Sequence, residues 1–330
     1  MELTAVAFIW KRKRNDMISV VLLGGLGNQM FVYAFARALS VQTGQQILLI
    51  DEQSSDAPEA VCGLQHFRTD ENAVKIVKGN FLRSGLRPIS IKLLMGCAKL
   101  LDIIGMKAPK MLHFAQRAFN LFSGIAGVSC QYNGYLPVQR LNKKRNFLYR
   151  GYYQSERYFE GISSIIRDEL RIKDELSREN EEFLQLIERG DSVCVHVRRG
   201  DYTSAAMRKR FLVCTVDYYQ RAAKRMLLLK PQAKFFVFSD DINWTKSNII
   251  FPSNTTFMNN NNSSYEDMLL MYSCKHFILS NSSFSWWAQY LGDAKDKIVI
   301  APDRWYNKIE DNDIYCRDWL IEEAKSQVAS

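Results

Sequence analysis

The segment HVRRGDY, His196 to Tyr202, sets a histidine, two adjacent arginines, a glycine and an aspartate at the end of a β-branched apolar run, SVCVHV (192–197). Arginine's planar fork matches phosphate oxygens in pairs and keeps its charge at any relevant pH. Neighbouring side chains on a strand point to opposite faces, so one of Arg198 and Arg199 should face a ligand while the other packs. Gly200 permits a sharp turn there, and Asp201 can brace an arginine or take a proton. A structural Arg–Asp pair at a strand end would use the same residues, since ion-pair networks also arise without a ligand.

Three further stretches have comparable chemistry. ILSNSSFSWW (278–287) runs from a strand through Asn281, Ser282, Ser283, Phe284 and Ser285 into a helix. Backbone N–H groups at a helix start, with hydroxyls beside them, form an anion site. Plain capping needs one such residue, and this turn offers four polar ones. Trp286 and Trp287 fall inside the helix and read as packing. VFSDD (237–241) ends a strand with Ser239, Asp240 and Asp241, groups able to hydrogen-bond a ribose or a base edge.

GGLGNQMF (24–31) is a strand-to-helix turn in which Gly25 and Gly27 supply the first two positions of a dinucleotide fingerprint. Asp51 ends the next strand, where a ribose-binding acid would sit. Met30 stands at the third glycine's place, which argues against nicotinamide or flavin. Asn28 and Gln29 add two bulky amides to the turn. Asp240 and Asp241 are contiguous, not spaced as a metal-binding DxD, and neither HExxH nor GxxxxGK[ST] occurs. No metal and no cofactor is expected.

These segments need a scaffold, and the periodicity supplies one. ISVVLL (18–23) and ILLI (47–50) read as buried parallel strands flanking a helix with Phe31, Ala34, Phe35, Ala38 and Leu39 on one face. Residues 83–123 read as helical throughout. A polar helical stretch, 162–189, follows GYYQSERYF and reads as the crossing between domains. Strands at 192–197, 234–239, 276–280 and 297–301 then alternate with helices at 218–229, 264–272 and 284–291, the second opened by Ser264 and Asp267 in capping-box spacing. Alternation across both halves predicts two parallel-sheet α/β domains, 17–189 and 190–330.

The chain has 330 residues, 47% of them hydrophobic, which is enough for two cores. No apolar run approaches the ~20 residues of a membrane span. LTAVAFIW is followed by KRKR, the reverse of a signal peptide, so residues 1–16 read as a tail or a misassigned start before Met17. Seven cysteines without a CxxC pair fit reduced thiols in a cytoplasm. The net charge of +9 favours anionic partners. From Arg83 to Arg117 there are seven Lys/Arg and one acid, Asp102, interleaved with apolar pairs. This is the pattern of basic amphipathic helices lying on an anionic membrane, or of a helical subdomain with solvated lysines. No recognisable nucleic-acid module accompanies it, so nucleic acid is not expected as a partner.

Together, GGLGNQMFVYAFARAL, HVRRGDY and SSYEDMLLMYSCKHFILSNSSFSWWAQYL, in this order and spacing, resemble glycosyltransferase family 11, the α-1,2-fucosyltransferases, here of bacterial type. The resemblance runs from about Met17 to the C-terminal region and is weakest across 52–145. It implies a GT-B-like fold of two Rossmann-type domains with a cleft between them and a helical insertion in the first. It implies metal-independent transfer of L-fucose from GDP-β-L-fucose, with inversion, to the 2-hydroxyl of a terminal galactose; the basic 83–117 stretch, by its own pattern, points to a membrane surface where a lipid-linked acceptor glycan is met. By the match of HxRRxD to His196, Arg198, Arg199 and Asp201, an arginine neutralises the departing diphosphate. Ser239, Asp240 and the 281–285 turn would then hold the donor. Gly25, Gly27, Asn28 and Gln29 would face the acceptor. The base is expected among Asp201, His196 and Asp267. A fucosyltransferase of other linkage or acceptor, and a non-catalytic nucleotide- or glycan-binding module, are the alternatives.

Overall fold

The computed structural model describes residues 18–51, 62–79, 119–120, 127–131, 134–138, 147–208, 211–258, 262–307 and 313–324. The 1–16 tail and the basic stretch 83–117 lie outside them; of the longer 83–123 segment only Phe119 and Asn120 are described, and these are helical. No helix among the described residues is long and apolar enough to cross a membrane. The chain divides into two compact units, Met1–Leu170 with Asn312–Ile314, and Arg171–Asp311 with Tyr315–Ser330.

The first unit opens with β1 (Ile18–Leu22), α1 (Leu26–Thr43) and β2 (Ile47–Asp51). Both strands are buried along their whole length, which is why their sequences are unbroken apolar runs. The helix stops at Gly44, whose φ of +68° suits glycine and lets its N–H bond the Ser40 carbonyl. β3 (Val74–Lys78), β4 (Val128–Gln131) and β5 (Phe147–Gly151) complete a parallel sheet in the order β3-β2-β1-β5-β4. α2 (Ser163–Glu169) is tied to α1 through Glu169, which accepts from Tyr33 Oη at 2.5 Å and from Arg37 Nε at 2.9 Å. Late in the chain, Asp313 returns to this unit and accepts from the Tyr135 N–H at 2.7 Å and from Arg157 Nη1 at 3.0 Å.

The second unit starts earlier than expected. The polar stretch 162–189 is two helices, α2 and α3 (Arg178–Glu188), and the division falls between them. The buried Asn180 of α3 donates to Asn262 Oδ1 and Glu266 Oε1, both at 3.1 Å, which fastens α3 to the second unit. The sheet comprises β6 (Ser192–Val197), β7 (Lys234–Ser239), β8 (Thr255–Phe257), β9 (His276–Ile278), β10 (Val299–Pro302) and β11 (Leu320–Glu322). All neighbours are parallel, in the order β11-β10-β9-β6-β7-β8. Helices α4 (Val216–Leu229), α5 (Ile242–Asn248), α6 (Ser264–Ser273) and α7 (Ser283–Leu291) connect them. The capping box of α6 is one residue earlier than the spacing suggested: it pairs Ser263 with Glu266, while Asp267 accepts from Asn262 Nδ2 at 2.9 Å.

In the first sheet β1 is the central strand, paired with β2 and β5, and in the second sheet the chain reverses its direction of winding between β6 and β9. Loops at the carboxyl ends of such a strand pair diverge and leave room for a ligand. HVRRGDY follows β6, the Ser-rich turn follows β9, and the glycine turn follows β1.

Candidate active site

Beyond Val197 the two arginines part, as strand alternation requires. Arg198 holds Asp240 Oδ2 through Nη1 at 3.0 Å, with its guanidinium 5.5 Å from the centre of the Tyr202 ring. Its side chain is 33% exposed. Arg199 turns onto the Trp244 ring, 3.2 Å from its centre, and is only 16% exposed. Burial lowers the Arg199 pKa, and Asp241 at 3.9 Å offsets this in part; its Nε has no hydrogen-bond partner among the described residues. Asp240 serves both residues, because its Oδ1 accepts from the Arg199 N–H at 2.8 Å. Gly200 keeps an ordinary negative-φ backbone, so a sharp bend is not its purpose; a Cβ there would lie 2.5 Å from Asp240 Oδ2. The glycine makes room for the carboxylate that sets the arginines.

His196 lies within β6, two residues before Arg198. Its Nδ1 is 2.8 Å from Ser280 Oγ across the β6/β9 reversal, and its ring lies 5.8 Å from that of Phe284. Burial, with Arg198 nearby, pushes its pKa down to about 3. A neutral imidazole of such weak basicity is a poor general base. In the turn after β9, Ser282 caps α7 by accepting from the Phe284 N–H at 3.3 Å, and Ser283 is the first helical residue. The fully buried Ser285 returns its hydroxyl to the carbonyls of Ser280 and Ser282. Asn281 is also buried and donates to the carbonyls of Leu212 and Trp305, both at 2.9 Å. Trp286 and Trp287 are wholly buried, Trp286 stacked on Tyr290.

In the first unit, Gly24 adopts φ +75° and Gly25 precedes α1 with nothing within 4 Å of where its Cβ would be. Gly27 is buried within α1. Gln29 is spent internally: it donates to the Gly24 carbonyl at 3.1 Å and accepts from the Gly63 N–H at 3.0 Å. The half-buried Asn28 accepts from Gln154 Nε2 at 2.7 Å.

The family model described as glycosyl transferase family 11 matches residues 132–323, more than half of the chain. An α-1,2-colitosyltransferase of Escherichia coli is 30% identical over 301 residues, covering 88% of this chain and 93% of that protein. The chain belongs to glycosyl transferase family 11. It is also 27% identical to the O-antigen biosynthesis glycosyltransferase WbnK of Escherichia coli over 317 residues, 91% of this chain and 98% of that one. A galactoside α-(1,2)-fucosyltransferase 1 of Saimiri boliviensis boliviensis is 28% identical over 174 residues, 48% of this chain and 47% of that one. Among solved structures, the fucosyltransferase NodZ from Bradyrhizobium is similar in fold, with a TM-score of 0.52 at 15% identity over 84% of this chain and 93% of that one. The protein is thus a glycosyltransferase with the two parallel-sheet domains of the GT-B class.

For a family 11 enzyme, the second unit brings together Arg198, Arg199, Ser239, Asp240 and Asp241 at the ends of β6 and β7, and His196, Ser280 and Phe284 at the reversal. Ser239 Oγ accepts from the Asp241 N–H and lies 3.0 Å from Thr245 Oγ1, so it helps to start α5. Of the residues expected as ligand contacts, Asn281 and Ser285 direct their polar hydrogens to backbone carbonyls inside the unit, and Gln29 bridges the Gly24 carbonyl and the Gly63 N–H. The side chain of Asp201 lies outside the described ones. Among the described residues no cluster of three or more His, Cys, Asp or Glu could hold a metal ion. Three contributors went unread in the sequence: Trp244 beneath Arg199, Ser280 on His196, and Gln154 on Asn28. Trp244 had a usable signal, since it lies one helical turn after Asp241 and must face the start of α5.

Proposed function

We propose that the protein transfers L-fucose from GDP-β-L-fucose, with inversion and without a metal, to the 2-hydroxyl of a terminal galactose in a glycan. The observation that carries this reading is Arg198, oriented by Asp240 at the carboxyl end of β6 in a family 11 chain. The family 11 relatives named for α-1,2 transfer support the linkage, and the fucosyltransferase relative supports the sugar.

In the reaction the acceptor's 2-hydroxyl oxygen attacks the anomeric carbon, the bond from that carbon to the phosphate oxygen breaks, and GDP leaves with the electron pair. Negative charge grows on the diphosphate as the sugar becomes oxocarbenium-like. A preorganised cation and backbone N–H donors at that charge lower the barrier most. Arg198 supplies the first and the start of α7, Ser282 to Phe284, the second. Arg199, braced by Trp244, sets the loop. Ser239 and Asp240 border the nucleoside end. Asp201 takes the hydroxyl proton; His196, held neutral, shapes the floor. Asn28, over Gly24 and close to the open Gly25, meets the acceptor. The acceptor is lipid-linked on this reading, reached at the cytoplasmic face of a membrane through the basic 83–117 segment.

Arg198→Ala should reduce transfer about 10²–10³-fold, as removal of one transition-state donor does, and weaken GDP binding with the melting temperature kept. Unimpaired transfer by this variant would sink the phosphate-anchor assignment. Loss of transfer in EDTA, restored by a divalent ion, would refute metal independence. GDP binding without turnover, in transfer or donor hydrolysis, would leave a binding module. The 30% identity to a colitosyltransferase favours one second reading, colitose as the transferred sugar. Mass spectrometry of the product with each activated sugar separates the two.

A further inference from the structure

Gln154 lies three residues beyond β5, at the carboxyl end of the strand that pairs in parallel with β1. The backbone around it is costly. Tyr153, immediately before, has φ +51°, the left-handed region that bulky side chains avoid. Such a conformation costs on the order of 1–3 kcal/mol and persists only where surroundings over-determine it. Here the buried Tyr153 ring lies flat on Phe35 of α1, at 3.7 Å and 4°. The Ser155 N–H then bonds the Tyr153 carbonyl at 2.8 Å, closing a three-residue turn with Gln154 at its apex. The Ser155 hydroxyl is buried with no hydrogen-bond partner among the described residues, a second local cost.

What these costs obtain is the placement of one amide. Gln154 Nε2 donates to Asn28 Oδ1 at 2.7 Å. The Asn28 carbonyl is therefore occupied, and its Nδ2 has no partner among the described residues. That Nδ2 lies over the bare α-carbon of Gly24, inside the volume that a Cβ would fill. An uncharged N–H donor at Gly24, next to the open Gly25, suits a sugar hydroxyl oxygen and discriminates poorly for phosphate.

We propose that Gln154 is a positioning residue for the acceptor: it locks the Asn28 amide with N–H outward, so that Asn28 donates to a hydroxyl of a neutral hexose. This rests on the reading that the Gly24 turn meets the acceptor. It makes polarity the deciding property. In Gln154→Glu the carboxylate can only accept, so the Asn28 amide turns over and presents its carbonyl. Size and burial are unchanged, but the outward donor is gone.

The test uses the full-length chain, with transfer measured against a varied galactoside at saturating GDP-fucose, and GDP affinity measured by calorimetry. Gln154→Glu and the isosteric Gln154→Met should each raise the acceptor KM about tenfold, a change worth about 1.4 kcal/mol. The GDP Kd should hold. Adding either change to Asn28→Ala should do no further harm, because Gln154 acts through Asn28. A wild-type acceptor KM in Gln154→Glu overturns the proposal, as does a GDP Kd that rises in step with it. If both variants unfold, Gln154 is a structural residue and the positioning role is refuted. A wild-type protein that transfers sugar to lactose but not through Asn28 removes this inference alone. A wild type that transfers nothing removes the functional reading and this inference together.

Discussion

Gly200→Ala isolates the link between Asp240 and the arginines. The added Cβ would lie 2.5 Å from Asp240 Oδ2, about 0.9 Å short of the 3.4 Å at which ordinary contact begins. The backbone at 200 has no positive φ, so alanine brings no conformational strain and the effect is steric alone. A carboxylate retreating by that distance carries the 3.0 Å Arg198 contact past the ~3.2 Å limit of a good hydrogen bond. It also strains the 2.8 Å bond from the Arg199 N–H. The cost to folding is small, about 1 kcal/mol, because a pair this open to water contributes little. For a unit of this size that is a fall of about 2–4 °C in Tm. The cost to catalysis is larger: a displaced Arg198 forfeits transition-state contact worth about 10²-fold or more in kcat. Calorimetric melting beside kcat/KM for transfer makes the comparison. Asp240→Ala should be no worse when combined with Gly200→Ala, since the clash then has no partner. A Gly200→Ala enzyme with wild-type kcat/KM would refute the reasoning, as would a loss of activity no greater than the loss of stability.

Two further outcomes concern the struts and a half-buried acid. Asn281→Ala strips the Leu212 and Trp305 carbonyls of their buried donors and should cost about 2–4 kcal/mol of stability, read as a lowered urea midpoint. Asp267 has its pKa pushed up to about 6, first by burial, against Asn262 which lowers it. Its folded pKa exceeds the unfolded one, so the folded state holds the proton longer and stability falls as pH rises from about 4 to about 6. Above that window Asp267→Asn should be more stable than wild type by about 1–2 kcal/mol, and the advantage should vanish near pH 4.

Much of the scaffold was legible because burial on both faces of a parallel strand leaves an unbroken apolar run. SVCVHV and KFFVFS therefore coincide with β6 and β7 to the residue. β3 reads VKIVK and β5 reads FLYRG; lysines at an edge, and arginine with glycine at a strand end, hide the same geometry. The short α5 is hidden in the sequence because Asp241 looks like a ligand, whereas its carboxylate accepts from the Trp244 N–H and begins a helix. The candidate site was visible as residue types, not as allegiances. Sequence displays Asn281, Ser285 and Gln29 as available amides and hydroxyls, and only the three-dimensional partners reveal that they are already engaged. Gln154 gave no signal, since a left-handed tyrosine has no signature in composition or period.

The return of Asp313 to the first unit bears on how the chain is made. Tyr135 and Arg157 are translated long before residue 313, and both wait for it. The first unit to be synthesised is thus not complete when its own sheet has emerged. Its last contacts form only after nearly all of the second unit has left the ribosome. Order of synthesis and order of completion run in opposite directions, and a ribosome stalled before residue 313 would hold a first unit that is folded in outline but unfinished at Tyr135.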